Sequence, residues 1–283
     1  MIVFDGRLHA GTTVPFDVSD RGLTLADGLF ETMLVVDGRV FRRTAHLDRM
    51  AAGATALAIP FDRARVEADL DLLLGALAPS TAVVRLTLTR GPGARGLARP
   101  TTARPTVLVT AAPWSPDLAF RPVRLATTAI RRNETSPTAR FKTLAYVDAV
   151  AALAEAQERG ADDALFLNGG GRVASTTMAN LFAVVDDELV TPPLADGVLD
   201  GTTRRCVLEI ARERGWRMTE RSLSPGDLER ADAAFLTNAV RLVSPVTTID
   251  DHGLAAGHAA ARDLFDAIGA RIAAVCGRDP RAV

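Results

Sequence analysis

The first 112 residues combine the two periodicities of regular structure, the two-residue period of strands and the three-to-four-residue spacing of helices. The predicted strands are residues 30–36, 39–41, 81–89 and 106–112, and the predicted helices are residues 43–58 and 62–77. The Asp37-Gly38 pair predicts a hairpin turn between the first two strands, because this dipeptide favours tight turns. Pro60 predicts the end of the first helix, since proline cannot continue helical hydrogen bonding.

From residue 123 onward the pattern again mixes strands and helices. The predicted strands are residues 123–130, 164–168, 172–175, 180–185, 232–237 and 245–249, and the predicted helices are residues 143–159, about 201–214 and about 258–275. Because helices and strands do not follow a strict βαβ alternation, the pattern favours an α+β fold. Residues 113–122 carry three prolines and are the predicted linker between a domain of residues 1–112 and a domain of residues 123–283.

Charge and composition exclude several classes of protein. The net charge of −1 over 283 residues argues against an electrostatic nucleic-acid binder. Charges interrupt every apolar run, so no membrane span is expected, and the N-terminus lacks the pattern of a signal peptide. The two cysteines and four histidines show no metal-ligand spacing, so no metal is expected. The expectation is a soluble, cytoplasmic protein.

Lys142 is the only lysine among 33 basic residues. A biased composition explains why lysine is scarce, but not why this one is retained. Arginine can replace lysine in surface charge and anion binding, but its guanidinium stays protonated and cannot act as an amine nucleophile. A desolvated lysine can lose its proton and form a Schiff base. Lys142 is therefore the candidate catalytic nucleophile.

Two features predict a phosphate site. Residues 201–203 (Gly-Thr-Thr) begin a predicted helix, where free backbone N–H groups and hydroxyls attract an anion, although the same residues also suit an ordinary helix start. Arg43, His46 and Arg49 fall on one face of another predicted helix, and arginine binds phosphate oxygens through a bidentate fork. Taken alone, such a face is more often solvated.

Six segments carry a resemblance to a known family. They are DRGLTLADGLFET (20–32), RTAHLDR (43–49), KTLAY (142–146), VASTTMANLF (173–182), GTTR (201–204) and TNAVRLVSPV (237–246). Together they closely resemble the class IV (fold type IV) pyridoxal-phosphate enzymes, which include branched-chain and D-amino acid aminotransferases and 4-amino-4-deoxychorismate lyase. The resemblance extends over residues 2–250 in the family's order and spacing.

The resemblance implies a two-domain fold type IV enzyme, with a small N-terminal α/β domain and a larger C-terminal domain that has a barrel-like β core. It also implies pyridoxal 5′-phosphate as the cofactor and a homodimer with a shared active site. Lys142 would form the Schiff base and move the proton at the substrate's α-carbon. The implied cofactor-binding residues are Arg49, Thr202 and Thr203 at the phosphate, Tyr146 at the phenolic oxygen, and Ser175, Asn238 and Ala239. The implied substrate-binding residues are Phe30, Glu31 and Arg95.

Two departures from the family pattern bear on the chemistry. Ser175 stands where the family usually has a glutamate that pairs with the pyridine nitrogen and keeps it protonated. A serine hydroxyl cannot supply that charge, and Asp162, Asp163 or a neighbouring chain is a candidate substitute. Ala239 stands where aminotransferases commonly present a threonine to the phosphate, and the Asn238-Ala239 pair is similar to the lyase branch.

The leading hypothesis is a pyridoxal-phosphate-dependent aminotransferase that acts on a branched-chain or D-amino acid, with amino and keto acids as substrates. The closest alternative is 4-amino-4-deoxychorismate lyase, which forms p-aminobenzoate and pyruvate by the same Schiff-base chemistry at Lys142. A third hypothesis is a non-catalytic relative that only binds the cofactor, suggested by the loss of the glutamate at Ser175.

Overall fold

The computed structural model describes residues 1–77 and 81–281. The chain forms two compact units. The first unit comprises Met1–Trp114, Phe141–Ala145 and Ile272–Val283, and the second comprises Ser115–Arg140 and Tyr146–Arg271. The linker-based domain division assigns residues 141–145 and 272–283 to the C-terminal domain, whereas their contacts group them with the first unit. The domain boundaries drawn from the sequence stay a prediction.

The first unit is built on a six-stranded antiparallel sheet with the strand order β2-β1-β6-β5-β3-β4. Its strands are β1 (Ile2–Phe4), β2 (Arg7–His9), β3 (Gly28–Val36), β4 (Arg39–Val40), β5 (Ala82–Thr89) and β6 (Val107–Pro113). Its helices are α1 (Arg21–Leu25), α2 (Arg43–Leu57) and α3 (Arg63–Ala76). The hairpin at Asp37-Gly38 and the end of α2 before Pro60 are both confirmed.

The apolar stripes of α2 and α3 pack against one face of this sheet. Leu47 and Met50 of α2 and Leu70 and Leu73 of α3 share a buried cluster with the strand residues, which include Leu86. Helix spacing places these side chains on one side of each helix, and burial of the apolar surface stabilises the layer.

The second unit is a strand-rich domain with short helices. Its strands are β7 (Val123–Arg132), β8 (Asp163–Asn168), β9 (Val173–Thr176), β10 (Asn180–Val185), β11 (Glu188–Thr191), β12 (Met218–Glu220), β13 (Ala233–Asn238), β14 (Leu242–Ile249) and β15 (His252–Gly253). Its α-helices are α4 (Pro137–Arg140), α5 (Val147–Glu158), α6 (Thr202–Glu213), α7 (Pro225–Glu229) and α8 (Ala259–Cys276), and residues of α8 from Ile272 onward are grouped with the first unit. Single 3₁₀ turns lie at Pro116–Leu118 and Leu194–Asp196.

Six of these strands close into a barrel in the order β10-β13-β14-β7-β8-β9. The ring closes where Asn180 of β10 pairs with Ser175 of β9. Alternate residues of all six strands, such as Leu165, Leu181 and Leu236, form one buried cluster inside the barrel. The predicted barrel-like β core is confirmed. Residues on the opposite faces of these strands point outward, since side chains alternate along a strand.

None of the helices in the described ranges is long and apolar enough to cross a membrane.

Candidate active site

Lys142 lies on an extended segment that runs beside β3, and not in the predicted helix. The Phe30 N–H donates to the Lys142 carbonyl at 2.9 Å, and the Leu144 N–H donates to the Gly28 carbonyl at 3.0 Å. This segment occupies one edge of β3 while β5 pairs with the other, so its backbone groups are satisfied by the sheet and not by a helix. α5 therefore starts only at Val147, and the prediction that it begins at residue 143 is wrong.

A glycine allows this close approach. A Cβ at Gly28 would lie 2.6 Å from the Leu88 carbonyl oxygen and 2.7 Å from Leu144 Cδ1, which is closer than real Cβ atoms come. The glycine of the ADGLFET segment thus has a packing reason, because any side chain there would push the Lys142 segment away from β3.

The Phe30 ring forms a platform beside the lysine. Lys142 Nζ lies 4.2 Å from the ring centroid, and Arg85 Cζ lies 3.7 Å from the same centroid. Such distances give an attraction between each cation and the electron-rich face of the ring. Arg85 is not among the site residues predicted from the sequence. Its signal is an arginine in the middle of the strand 81–89, two residues from the position that pairs with Phe30.

Glu31 lies on the other face of β3, because successive residues of a strand point to opposite sides. Its carboxylate is fully buried and contacts two side chains of α2. Arg49 Nε and Nη2 donate to Glu31 at 2.8 and 2.6 Å, and His46 Nδ1 lies 2.7 Å from the same carboxylate. We call Glu31, His46 and Arg49 the Glu31 cluster. Arg49, the predicted phosphate ligand, is therefore already fixed by a bidentate ion pair.

The electrostatics of this cluster follow from burial and pairing. Burial by itself would raise the pKa of the Glu31 carboxyl, but the charge and hydrogen bonds of Arg49, together with His46, lower it to about 2. Burial lowers the pKa of His46 and outweighs the opposing effect of Glu31. The cluster at neutral pH thus consists of a carboxylate, a guanidinium and a neutral imidazole that donates its Nδ1–H to Glu31.

Arg95 is exposed on the loop that follows β5. The buried Arg21 side chain holds this loop in place. It donates to the carbonyls of Gly96, Leu97 and Ala98 at 3.1 to 3.2 Å. The motif that begins at Asp20 therefore shapes the loop that carries Arg95, and the substrate contact of Arg95 stays a prediction.

In the second unit, the N-terminus of α6 forms a cradle. Thr202 and Thr203 are buried, and Gly201 at the N-cap position has no side chain that could cap the helix. The Asn180 amide donates to the Leu199 carbonyl at 2.8 Å, which ties the approach to this helix to β10. A Cβ at Gly201 would lie 2.0 Å from Asn180 Oδ1, so only glycine fits. The N–H groups at the start of a helix attract anions, and this cradle fits a phosphate.

A row of paired residues crosses the outside of the barrel next to this cradle. Phe166 pairs with Ser175, Ser175 with Asn180, and Asn180 with Thr237, so all four lie on one face. We call them the outer row. All are buried, and Thr237 Oγ1 has no hydrogen-bond partner within residues 1–77 and 81–281. A buried hydroxyl without a partner costs free energy, which indicates a polar group that a ligand can satisfy.

The remaining predicted cofactor residues lie near the ends of elements in the second unit. Asn238 ends β13, and its Oδ1 accepts hydrogen bonds from the N–H groups of Val240 and Arg241 at 2.9 and 2.8 Å. It thereby shapes the turn that contains the half-buried Ala239. Tyr146 is half-buried at the N-cap position of α5. In the described part of the chain, no group of three or more histidine, cysteine, aspartate or glutamate residues could hold a metal ion.

The family model for amino-transferase class IV matches residues 28–249. This chain belongs to that family. It is 33% identical over 255 residues to a "Putative branched-chain-amino-acid aminotransferase" of Methanocaldococcus jannaschii, and the match covers 88% of each chain.

Two solved structures are similar over nearly their whole length. A 4-amino-4-deoxychorismate lyase from Pseudomonas aeruginosa is 33% identical with a TM-score of 0.85, and the match covers 94% of this chain and 97% of that one. A hypothetical aminotransferase from Mycobacterium tuberculosis, with α-ketoglutarate and PMP bound, is 27% identical with a TM-score of 0.85, and the match covers 98% of this chain and 100% of that one. The family, the fold type IV architecture and the assignment as an enzyme are confirmed.

Proposed function

We propose that this chain is a pyridoxal-phosphate-dependent aminotransferase that transfers the amino group of a branched-chain or D-amino acid to a keto acid. The observation that carries the proposal is the placement of Lys142, whose amine is held over the Phe30 ring by a segment that pairs with β3. The family match and the relative solved with PMP and α-ketoglutarate support the same reaction class.

When bound, pyridoxal phosphate supplies an aldehyde that combines with amines and a ring that withdraws electrons from the bonds at the substrate's α-carbon. Lys142 has two tasks in this proposal. Its Nζ would hold the cofactor until a substrate amine takes its place, and it would then move the proton at the α-carbon as a general base and acid. The ring of Phe30 orients the amine and excludes water from one side of it.

The family resemblance implies that Arg49, Thr202 and Thr203 hold the phosphate. Thr202 and Thr203 lie at the positive end of a helix, which attracts an anion, and Gly201 allows the Asn180 amide to approach this helix start. Arg49 keeps its orientation through Glu31. The roles of Tyr146 at the phenolic oxygen and of Asn238 and Ala239 beside the cofactor stay predictions. So do the substrate contacts of Phe30, Glu31 and Arg95.

The test is to add the cofactor to the purified protein, reduce with borohydride and locate the modified peptide by mass analysis. We expect one adduct, at Lys142, and none in Lys142→Ala. The same preparation is then given branched-chain and D-amino donors with α-ketoglutarate. Formation of the matching keto acid supports the proposal, and an adduct without any amino transfer contradicts it in favour of a non-catalytic relative.

A second candidate function is 4-amino-4-deoxychorismate lyase. The Asn238-Ala239 pair, Ser175 and the similarity to the Pseudomonas aeruginosa lyase favour it. The two reactions differ in one requirement, because the lyase releases p-aminobenzoate and pyruvate without any amino acceptor. Rapid formation of p-aminobenzoate from aminodeoxychorismate in the absence of a keto acid would overturn the aminotransferase proposal.

The proposal includes a homodimer with a shared active site, which rests on the family resemblance, and a cytoplasmic location, which rests on charge and composition. Light scattering of the purified protein measures the first: a mass near twice that of one chain is expected.

A further inference from the structure

Ser175 belongs to the outer row and stands where the family resemblance implies a glutamate beside the cofactor's ring nitrogen. Ser175 is 8% exposed and lies between Phe166 and Asn180 on the outside of the barrel. Its hydroxyl can donate a hydrogen bond to a lone pair, but it cannot stabilise a positive charge as a carboxylate does.

Neither aspartate near β8 replaces the missing carboxylate. Asp162 is engaged elsewhere, because its carboxylate accepts from Arg124 Nε and from the Arg124 backbone N–H at 3.0 and 2.9 Å. Asp163 lies on the same side of β8 as Leu165, which faces the barrel interior, whereas Phe166 and its partner Ser175 face outward. The Asp163 carboxylate accepts from the Thr177 hydroxyl at 2.5 Å.

A cation stands on this side of the barrel instead. Arg132 Cζ lies 4.2 Å from the centroid of the Phe166 ring, and Phe166 is the direct partner of Ser175. In the described residues, the buried Nε of Arg132 has no hydrogen-bond partner. Burial lowers the pKa of Arg132, and the charges of Tyr146 and Asp148 only partly oppose this effect.

Gly197 makes room for the Arg132 side chain. A Cβ at Gly197 would lie 3.2 Å from Arg132 Cγ and 3.0 Å from the Glu134 Cα, so the glycine allows the Arg132 side chain to pass. Gly197 also has a φ of 81°, which other residues rarely adopt. The backbone of the second unit therefore accommodates the Arg132 side chain beside Phe166.

A positive charge near a basic nitrogen disfavours its protonation, and a neutral hydroxyl does not offset that effect. We infer that this protein holds the cofactor's ring nitrogen unprotonated, with Ser175 as hydrogen-bond donor to it and Arg132 as the positioning residue that keeps the surroundings positive. The inference rests on the proposed function, because it requires that the cofactor binds with its ring against the outer row.

The ring nitrogen then withdraws electrons less strongly than a protonated one. Charge that develops at the substrate's α-carbon is stabilised less, so Lys142 must return the proton, or a leaving group must depart, before much charge accumulates.

The test uses the holoenzyme loaded with pyridoxal phosphate that carries ¹⁵N in the ring. Protonated pyridine nitrogens resonate well upfield of neutral ones, so one ¹⁵N spectrum at neutral pH reports the state directly. We expect the downfield, neutral signal in the wild type and in Ser175→Ala. Ser175→Glu is expected to move the signal upfield, to the protonated form. Arg132→Gln is expected to make protonation easier and to raise the pH at which the signal changes.

An upfield, protonated signal in the wild type at neutral pH would overturn the inference, whether or not the variants fold. A Ser175→Glu protein that folds and binds the cofactor but keeps a neutral nitrogen would also overturn it. The proposed function is tested separately in the same sample. Failure to trap the cofactor on Lys142 with borohydride contradicts the proposed function, whereas a trapped adduct with a protonated nitrogen contradicts only this inference.

Discussion

The Glu31 cluster of the first unit and the outer row of the second unit differ in whether their buried polar groups have partners. In the Glu31 cluster, a buried carboxylate pairs with both Arg49 and His46 before any ligand binds. In the outer row, the Thr237 hydroxyl and the Nε of nearby Arg132 have no hydrogen-bond partner, as far as the described residues extend.

The difference indicates that the Glu31 cluster is preorganised, whereas the outer row has polar groups that a bound ligand can satisfy. A buried ion pair is costly to break once formed, because the surviving partner is left charged and desolvated. A buried donor without a partner, by contrast, destabilises the protein, and an anion or a ring nitrogen that accepts its hydrogen bond removes this cost. The first unit therefore holds its arginine in place, and the second unit supplies groups that gain from binding.

The largest expected effect comes from removal of the Glu31 carboxylate. Glu31→Ala leaves Arg49 buried without its counter-ion and should lower the free energy of unfolding by about 3–5 kcal/mol. Urea unfolding measures the change. The matched control is Glu67→Ala, which removes an exposed ion pair with Arg63 and should cost about 0–1 kcal/mol. Equal losses for the two variants would contradict the contrast between the buried cluster and the surface.

Acid should weaken the same cluster in a defined pH window. The pKa of Glu31 is about 2 in the folded protein, below its ordinary value of 4.5, so its contribution is present above 4.5 and is lost as the pH falls toward 2. The amount is about 3 kcal/mol, since each pKa unit corresponds to about 1.4 kcal/mol. The lowered pKa of His46 adds a loss that begins higher, below its ordinary value of 6.5.

The measurement is the difference in unfolding free energy between wild type and Glu31→Gln over this pH range. That difference should shrink as the pH falls through the window of Glu31. A difference that stays constant down to acid pH would mean that the Glu31 carboxylate is not the group that titrates.

Gly201→Ala probes the cradle of the second unit. The new Cβ would meet Asn180 Oδ1, so we expect a loss of about 1–3 kcal/mol in stability from overpacking and a clear fall in affinity for inorganic phosphate and pyridoxal phosphate. Gly75→Ala is the matched control, because nothing lies within 4 Å of a Cβ there. That change in α3 should stabilise the protein by about 0.4–1 kcal/mol and leave cofactor binding unchanged.

The smallest expected effect is that of Thr237→Val. The variant removes a buried hydroxyl that has no partner in the described residues, so the protein without cofactor should become more stable by about 1 kcal/mol. Cofactor affinity should fall at the same time. A loss of stability without cofactor would show that this hydroxyl is already satisfied, and the contrast with the Glu31 cluster would weaken.

Much of the local structure could be predicted from single segments. The Asp37-Gly38 hairpin, the helix before Pro60 and the helix that starts after Gly201 depend on turn chemistry and on side-chain periodicity, which neighbouring residues largely decide. The start of α5 could not be predicted this way. Residues 142–144 suit a helix by composition, but β3 recruits their backbone into the sheet, and strand pairing over such a distance leaves no mark in the local pattern.

The candidate site shows the same division between what the sequence determines and what the tertiary structure decides. The sequence by itself determined the candidate nucleophile, because Lys142 is the only lysine, and it determined the family through six ordered motifs. The tertiary structure decided the partners of those residues. It joined Glu31 to Arg49, set the Phe30 ring between Lys142 and Arg85, and turned Asp163 away from Ser175. The physical reason is that a motif fixes which groups are present, whereas their charges and orientations depend on residues that only the sheet and the barrel bring into contact.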